Sequence, residues 1–317
     1  MLICIGLGAG VFLILALLPE RHEIAAAVGS FQWRFLPLAL SLAGVNYLIR
    51  AARWHWFLLH LGTTIKVSES LSIFLIGLML SVTPGKAGEL FKAYLVKLAR
   101  GVPISRTVPV VLVERLTDLS GTLVLATLSL SAVAARPWMV AMLWLFLAVG
   151  LWLITRKGWM HSLFALAGGV TGERWMGRLT RTYDSLSALL TPGPLLLGTV
   201  VSALAWFAEC VSLLVILKGF GAEIGWVEAT FIYTFATLAG ALLFFMPGGI
   251  GGTEATMVGL LREIAHTPAA VASLATALVR VATLWFAAAI GFVALFFCPL
   301  PVAEDLDRAL AEEEQAP

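Results

Sequence analysis

Charged side chains are few in this sequence and missing from long stretches of it. Asp, Glu, Lys and Arg make up 13% of the 317 residues, where about 25% is usual for a soluble globular domain. Residues 2–18 and 137–155 carry no charge at all, and 116–135 and 264–297 carry only Asp118 and Arg280. Cysteine is scarce too. Cys4, Cys210 and Cys298 all lie in apolar blocks and form no CxxC pair, which excludes a disulfide framework and a thiolate metal site. The five histidines, His22, His55, His60, His161 and His266, fall in loops or at the ends of apolar blocks and make no HExxH pattern. No GxSxG elbow, phosphate-binding P-loop or DxD-type pattern stands in a suitable context. The expectation is therefore a protein with no metal, no cofactor and no catalytic residues, hence not an enzyme. The net charge of +2 is too small to suggest a nucleic-acid partner.

What the sequence has in excess is apolar length. Hydrophobic residues form 60% of it and the mean hydropathy is +0.95. Crossing a bilayer takes roughly 20 apolar residues in a helix. The stretches 2–18, 35–58, 107–132, 137–155, 193–217 and 268–297 read as six spans. Residues 1–18 lack the positive n-region of a cleaved signal and are expected to be retained. Two further regions are apolar helices with a break. Residues 68–100 break at Thr83-Pro84-Gly85 and resume near Gly88; residues 227–262 break at Pro247-Gly248-Gly249-Ile250-Gly251-Gly252 and resume at Thr253. Proline ends a helix and glycine lets the chain turn back, so each region is expected to form a re-entrant hairpin or a broken span.

The breaks belong to an internal repeat. Glu89 and Glu254 follow them; fourteen residues later come Pro103 and Pro268, and twelve further on Arg115 and Arg280. Paired interrupted helices in the two halves of a membrane chain point to a transport site near the bilayer midplane. The expected fold is an all-α polytopic membrane protein with about six full spans plus two Pro-Gly-broken re-entrant hairpins in an inverted repeat. One transmembrane domain covers 1–303, with repeat one at about 35–132 and repeat two at about 193–297. Residues 173–190 read as an amphipathic helix on the cytoplasmic interface, or alternatively a loop helix packed on the bundle. Residues 304–317 form a short acidic tail.

Lys and Arg placement sets the orientation. With both termini cytoplasmic, that side holds Arg50, Arg53, Lys66, Lys97, Arg100, Arg106, Arg156, Lys157, Arg174, Arg178 and Arg181. The far side holds Arg21, Arg34, Arg136, Lys218 and Arg262, eleven against five.

Ionisable residues at membrane depth need a partner or a purpose. Glu89, Glu114, Arg115, Asp118, Glu209, Glu254, Arg280 and Lys86 are the candidates for substrate binding, with Pro84, Gly85, Gly88, Pro247, Gly248, Gly249 and Gly251 shaping the breaks. Two readings of Arg115 and Arg280 stand side by side: ion pairs holding hairpins to scaffold, and guanidinium groups recognising a phosphate. Lys92 reads as a snorkelling residue, and Arg50 with Arg53 as an interfacial anchor or headgroup contact.

The strings TPGKAGEL (83–90), ERLTD (114–118) and PGGIGGTE (247–254), with the Arg50–Trp54 stretch, resemble the lysylphosphatidylglycerol synthase transmembrane family, also called flippase-like. The resemblance runs from about residue 35 to 297. It implies an inner-membrane helical domain with two re-entrant segments and, in the bifunctional relatives, movement of an aminoacylated phospholipid between leaflets. Those relatives carry a soluble aminoacyl-transfer domain. The chain ends soon after its last span, so the synthase activity is not expected. The expected function is a lipid flippase or transporter for an anionic or lipid-linked headgroup, the lipid being a phospholipid or a polyprenyl-linked one. The alternatives are an intramembrane enzyme acting on a lipid-linked substrate and a scaffold for a lipid-modifying enzyme. A second copy of the chain or such an enzyme is the expected protein partner, in the cell membrane.

Overall fold

The computed structural model describes residues 21–83, 87–130, 137–155, 173–242 and 249–297, and all regular structure among them is helical. The expected span at 2–18, the Pro84-Gly85-Lys86 and Pro247-Gly248 parts of the breaks, and the tail at 304–317 lie outside the described residues. In chain order the helices are α1 (Arg21–Ser30), α2 (Leu36–His60), α3 (Val67–Met79), α4 (Phe91–Arg100), α5 (Ile104–Ser129), α6 (Pro137–Thr155), α7 (Glu173–Leu189), α8 (Pro192–Gly219), α9 (Trp226–Leu242), α10 (Gly252–Glu263), α11 (Ala269–Arg280) and α12 (Phe286–Phe297).

Among the described residues, three helical stretches are long and apolar enough to cross a membrane: Trp33–His60, Pro192–Gly219 and Ala269–Phe297. Shorter apolar helices lie at Val67–Val82, Val140–Leu153 and Trp226–Leu242. Helix α5 has the length, 26 residues, but carries Arg106, Glu114, Arg115 and Asp118. Glu114 and Asp118 are buried against the bundle, Arg115 is partly buried and Arg106 is exposed. The protein is a helical membrane protein, and large apolar side chains such as Phe146, Leu196 and Phe296 stand exposed on its outer surface.

Local chemistry explains the helix ends. Prolines stand at the starts of α2 and α8, where the missing amide hydrogen costs nothing. Gly101, at φ +66°, closes α4 in the left-handed conformation that glycine adopts without penalty. Helices α5 and α11 both begin directly after a proline, Pro103 and Pro268. Their starts, Ile104 and Ala269, are 165 residues apart, the same interval that separates Glu89 from Glu254.

Packing follows the same pairing. Helix α8 lies along α2 and α5, α9 packs on α5, and α12 packs on α3. Close approach rests on small residues, as is common where membrane helices meet. A Cβ at Gly121 would lie 2.8 Å from the Ala203 backbone nitrogen on α8, and one at Gly291 would lie 2.6 Å from the Leu75 carbonyl on α3. Helix α7 packs on α5, burying Tyr183 and Leu189.

Between α11 and α12 the helix widens into a π-helical turn, Val281–Trp285, that starts directly after Arg280. Such turns displace carbonyls from the regular ladder and recur at functional sites. Tyr47 on α2 meets the displaced backbone, its Oη donating to the Thr283 carbonyl at 2.5 Å.

Candidate functional site

The centres of the three long apolar stretches fall at residues 46–47, 205–206 and 283. Two adjacent side chains tie these centres together. Asn46 Nδ2 donates to the Ala205 carbonyl at 2.8 Å, and Tyr47 reaches Thr283 as described above. Beside them opens a cavity of about 330 Å³. Tyr47, Arg50, Trp206, Glu209, Arg280 and Thr283 line it from the three stretches. Each lies within four residues of its helix centre, which at 1.5 Å per residue is about 6 Å along the axis. Glu89, Arg115, Asp118, Ser81 and Tyr233 add polar groups to the wall, while Leu78, Leu119, Leu238, Leu284 and Ala287 make the rest of it apolar.

Two ion networks stand at the polar wall. The first joins α2, α4, α5 and the 3₁₀ turn Ala87–Leu90. Arg115 Nη2 lies 2.9 Å from Glu89 and 3.1 Å from Asp118. Arg53 lies 2.8 Å from Asp118, and Arg50 lies 3.6 Å from it. Lys92 donates to Glu114 at 2.6 Å, lies 3.8 Å from Glu89, and sits over the rings of Trp54 and Phe74. Among the described residues these four cations face three carboxylates, and Glu209 adds another carboxylate to the wall of the same cavity. Ser202 on α8 donates to Asp118 at 2.8 Å and ties this network to the second half of the chain.

The second network belongs to α8–α11. Arg280 Nε donates to Glu254 Oε1 at 2.6 Å, and the other carboxylate oxygen accepts from the Gly251 amide at 2.6 Å. One glutamate therefore both caps α10 and holds Arg280, with Gly249 and Gly251 in the left-handed region at φ +68° and +93° just before it. Tyr233 Oη donates to the carboxylate of Glu209. In the first half Glu89 pairs with Arg115, in the second Glu254 with Arg280, 26 residues apart in both cases. At the first break the Gly88 amide donates to Thr83 Oγ1 at 2.8 Å, and a Cβ on Gly88 would meet Thr83 and Leu80 below 3 Å.

The sequence reading and the geometry part company over five residues. Lys92 does not snorkel: it is 1% exposed and paired with Glu114, because α4 folds back against α5 instead of ending at an interface. Arg50 and Arg53 are not interfacial anchors. Helix α2 runs on to His60, so both lie inside it, 6% and 3% exposed, facing carboxylates of α5. Without them the charge tally behind the orientation falls from eleven to nine, against five. Glu114 is fully buried behind Arg53 and Lys92 and does not reach the cavity, and Glu254 stands behind Arg280. Lys86 lies outside the described residues. Asn46, Tyr47, Ser202 and Tyr233 escaped the sequence reading. An asparagine inside an apolar stretch was the available signal for the first; the others look like ordinary span residues.

Residues 3–291 match the family described as the lysylphosphatidylglycerol synthase TM region. A UPF0104 membrane protein of Methanothermobacter thermautotrophicus is 26% identical over 315 residues, covering 89% of this chain and 90% of the relative. A further match to a UPF0104 membrane protein of the same organism is 28% identical over 112 residues, 35% of this chain and 32% of the relative.

Proposed function

The chain belongs to the lysylphosphatidylglycerol synthase transmembrane family, and on that footing we propose that it carries a lipid headgroup between leaflets through the central cavity. The observation that carries this reading is the depth of the charges. Arg50, Glu209 and Arg280 lie at the centres of three membrane-long apolar helices and share one cavity with Glu89, Arg115 and Asp118. Charges placed there cost about 2.5–3.5 kcal/mol each on insertion scales, and irregular backbone at such depth is stable only when buried or lining a cavity. A wall that is apolar around a charged floor suits an amphiphile, whose headgroup meets the charges and whose chains meet leucines.

The repeat gives the reading its mechanism. Helices α2–α5 and α8–α11 follow the same order, with a Pro-Gly break at the same place, and the two glutamate–arginine pairs stand at the same interval. In this reading the two halves are inverted in the membrane, the broken helices are re-entrant, and rocking one half against the other exposes the cavity to each face in turn. Glu89, Glu114, Asp118 and Glu254 pair with cations, which favours headgroup binding over acid–base chemistry. The protein acts in the cell membrane with its termini in the cytoplasm.

Leaflet exchange in reconstituted vesicles tests this. Fluorescent phosphatidylglycerol should exchange faster in vesicles holding the protein than in empty ones. Glu89→Gln and Arg280→Ala, each of which strips a partner from a buried charge, should slow it by roughly tenfold, the equivalent of about 1.4 kcal/mol. Equal exchange in wild type, variants and empty vesicles, across phosphatidylglycerol and a polyprenyl-phosphate lipid, overturns the proposal.

A further inference from the structure

We infer that Glu209 is a proton-binding site near the middle of the membrane, loaded and emptied as the cavity opens to one face and then the other. The inference rests on the transport reading for the opening of the cavity, and adds to it the ion that drives the movement. Glu209 lies within four residues of the centre of Pro192–Gly219, is 4% exposed and lines the cavity. Ionisable side chains held at that depth and facing a cavity are the elements from which proton relays are built.

The hydrogen bond from α9 suits this role. Tyr233 Oη donates to the Glu209 carboxylate, and a phenol can donate to an oxygen of either a carboxylate or a carboxylic acid. The bond therefore survives in both protonation states, weaker once the charge is gone. In the loading step a proton from cavity water forms an O–H bond on one Glu209 oxygen. In the unloading step that bond breaks and the proton returns to water at the opposite face. Tyr233 keeps its own proton throughout.

Charged and titratable groups surround Glu209 from each helix packed on it. Its charge reaches Arg50 and Tyr47 on α2 and Cys210 on its own helix. Arg280 of α11 acts on the Tyr233 hydroxyl, and Asp118 of α5 lines the same cavity. Among the described residues the two networks balance with Glu209 ionised, so a bound proton leaves one positive charge. An anionic cargo restores neutrality, and proton and anion then cross together. The backbone is coupled to the same site. Thr283, in the π-helical turn, meets Tyr233 with its side chain and Tyr47 with its carbonyl.

Infrared difference spectra of the full-length protein in vesicles, recorded as the pH is lowered, test the site without any cargo. The wild type should gain the carbonyl band of a buried carboxylic acid, shifted in heavy water and lost in Glu209→Gln. Tyr233→Phe, which removes one hydroxyl, should keep the band and move it to higher frequency; it carries the test if Glu209→Gln does not fold. Identical spectra in wild type and Glu209→Gln, or a band unmoved in Tyr233→Phe, overturn the site. The coupling is read from lipid distribution with the membrane potential clamped. A gradient of one pH unit, about 1.4 kcal/mol per proton, should enrich fluorescent phosphatidylglycerol on the alkaline side by up to about tenfold over empty vesicles. Glu209→Gln should abolish that enrichment. Wild-type exchange that ignores the pH gradient, or that follows a sodium gradient at equal pH, overturns the proton coupling. A Glu209-dependent band in a protein that exchanges no lipid would leave the proton site standing and remove the transport reading.

Discussion

At the scale of single residues, the molecule is governed by the cost of burying charge. A carboxylate or ammonium taken out of water loses several kcal/mol, returned only when a partner is close and well placed. Lys92 and Glu114 show the rule at its plainest, both essentially without exposure and 2.6 Å apart. Removing one partner should be far worse than removing both. Glu114→Leu should destabilise by about 3–5 kcal/mol, while the double variant Lys92→Met, Glu114→Leu should recover much of that loss. Thermal unfolding in detergent checks it, and equal losses in single and double variants would contradict the pairing. The sequence made the Glu89–Arg115 and Glu254–Arg280 pairs legible, because a register repeated twice marks both partners. It hid the partners of Arg53 and Lys92, since spacing within one helix carries no information about a carboxylate 65 or 22 residues away on another.

At the scale of elements, the breaks and their docking decide the shape of the cavity. Proline and glycine announce breaks after Val82 and Met246; α3 and the 3₁₀ turn that follows it run to Val82, and α9 is described as far as Leu242. The π-helical turn at Val281–Trp285 had no such announcement: VATLW contains neither proline nor glycine, and the turn is stabilised from another helix by Tyr47. Gly240 is the docking point of the second break. A Cβ there would collide with the Thr253 hydroxyl and stand 3.2 Å from the Thr253 amide, at the start of α10. Gly240→Val should push α10 away from α9, separate Glu254 from Arg280, and slow leaflet exchange as much as Arg280→Ala does. Wild-type exchange in Gly240→Val would show that the α9–α10 contact does not set the cavity.

At the scale of the whole molecule, the two halves meet around one cavity with charge unevenly shared. Among the described residues the first network sets four cations against three carboxylates and the second sets Arg280 against Glu209 and Glu254, so the charges around the cavity balance. The all-helical membrane architecture could be read from apolar length alone. Which charges shared a space could not, because that depends on α8 packing against both α2 and α5 and bringing Ser202 to Asp118. Thr122 on α5 and Thr237 on α9 line the cavity from opposite halves. The most direct test places a single cysteine at either position, in a chain whose own Cys4, Cys210 and Cys298 are serine, and labels oriented vesicles with a membrane-impermeant thiol reagent. A passage shared by both halves predicts that each position labels from both faces of the membrane, and less so when phosphatidylglycerol occupies the cavity. Labelling of both positions from one face only, indifferent to lipid, would contradict it.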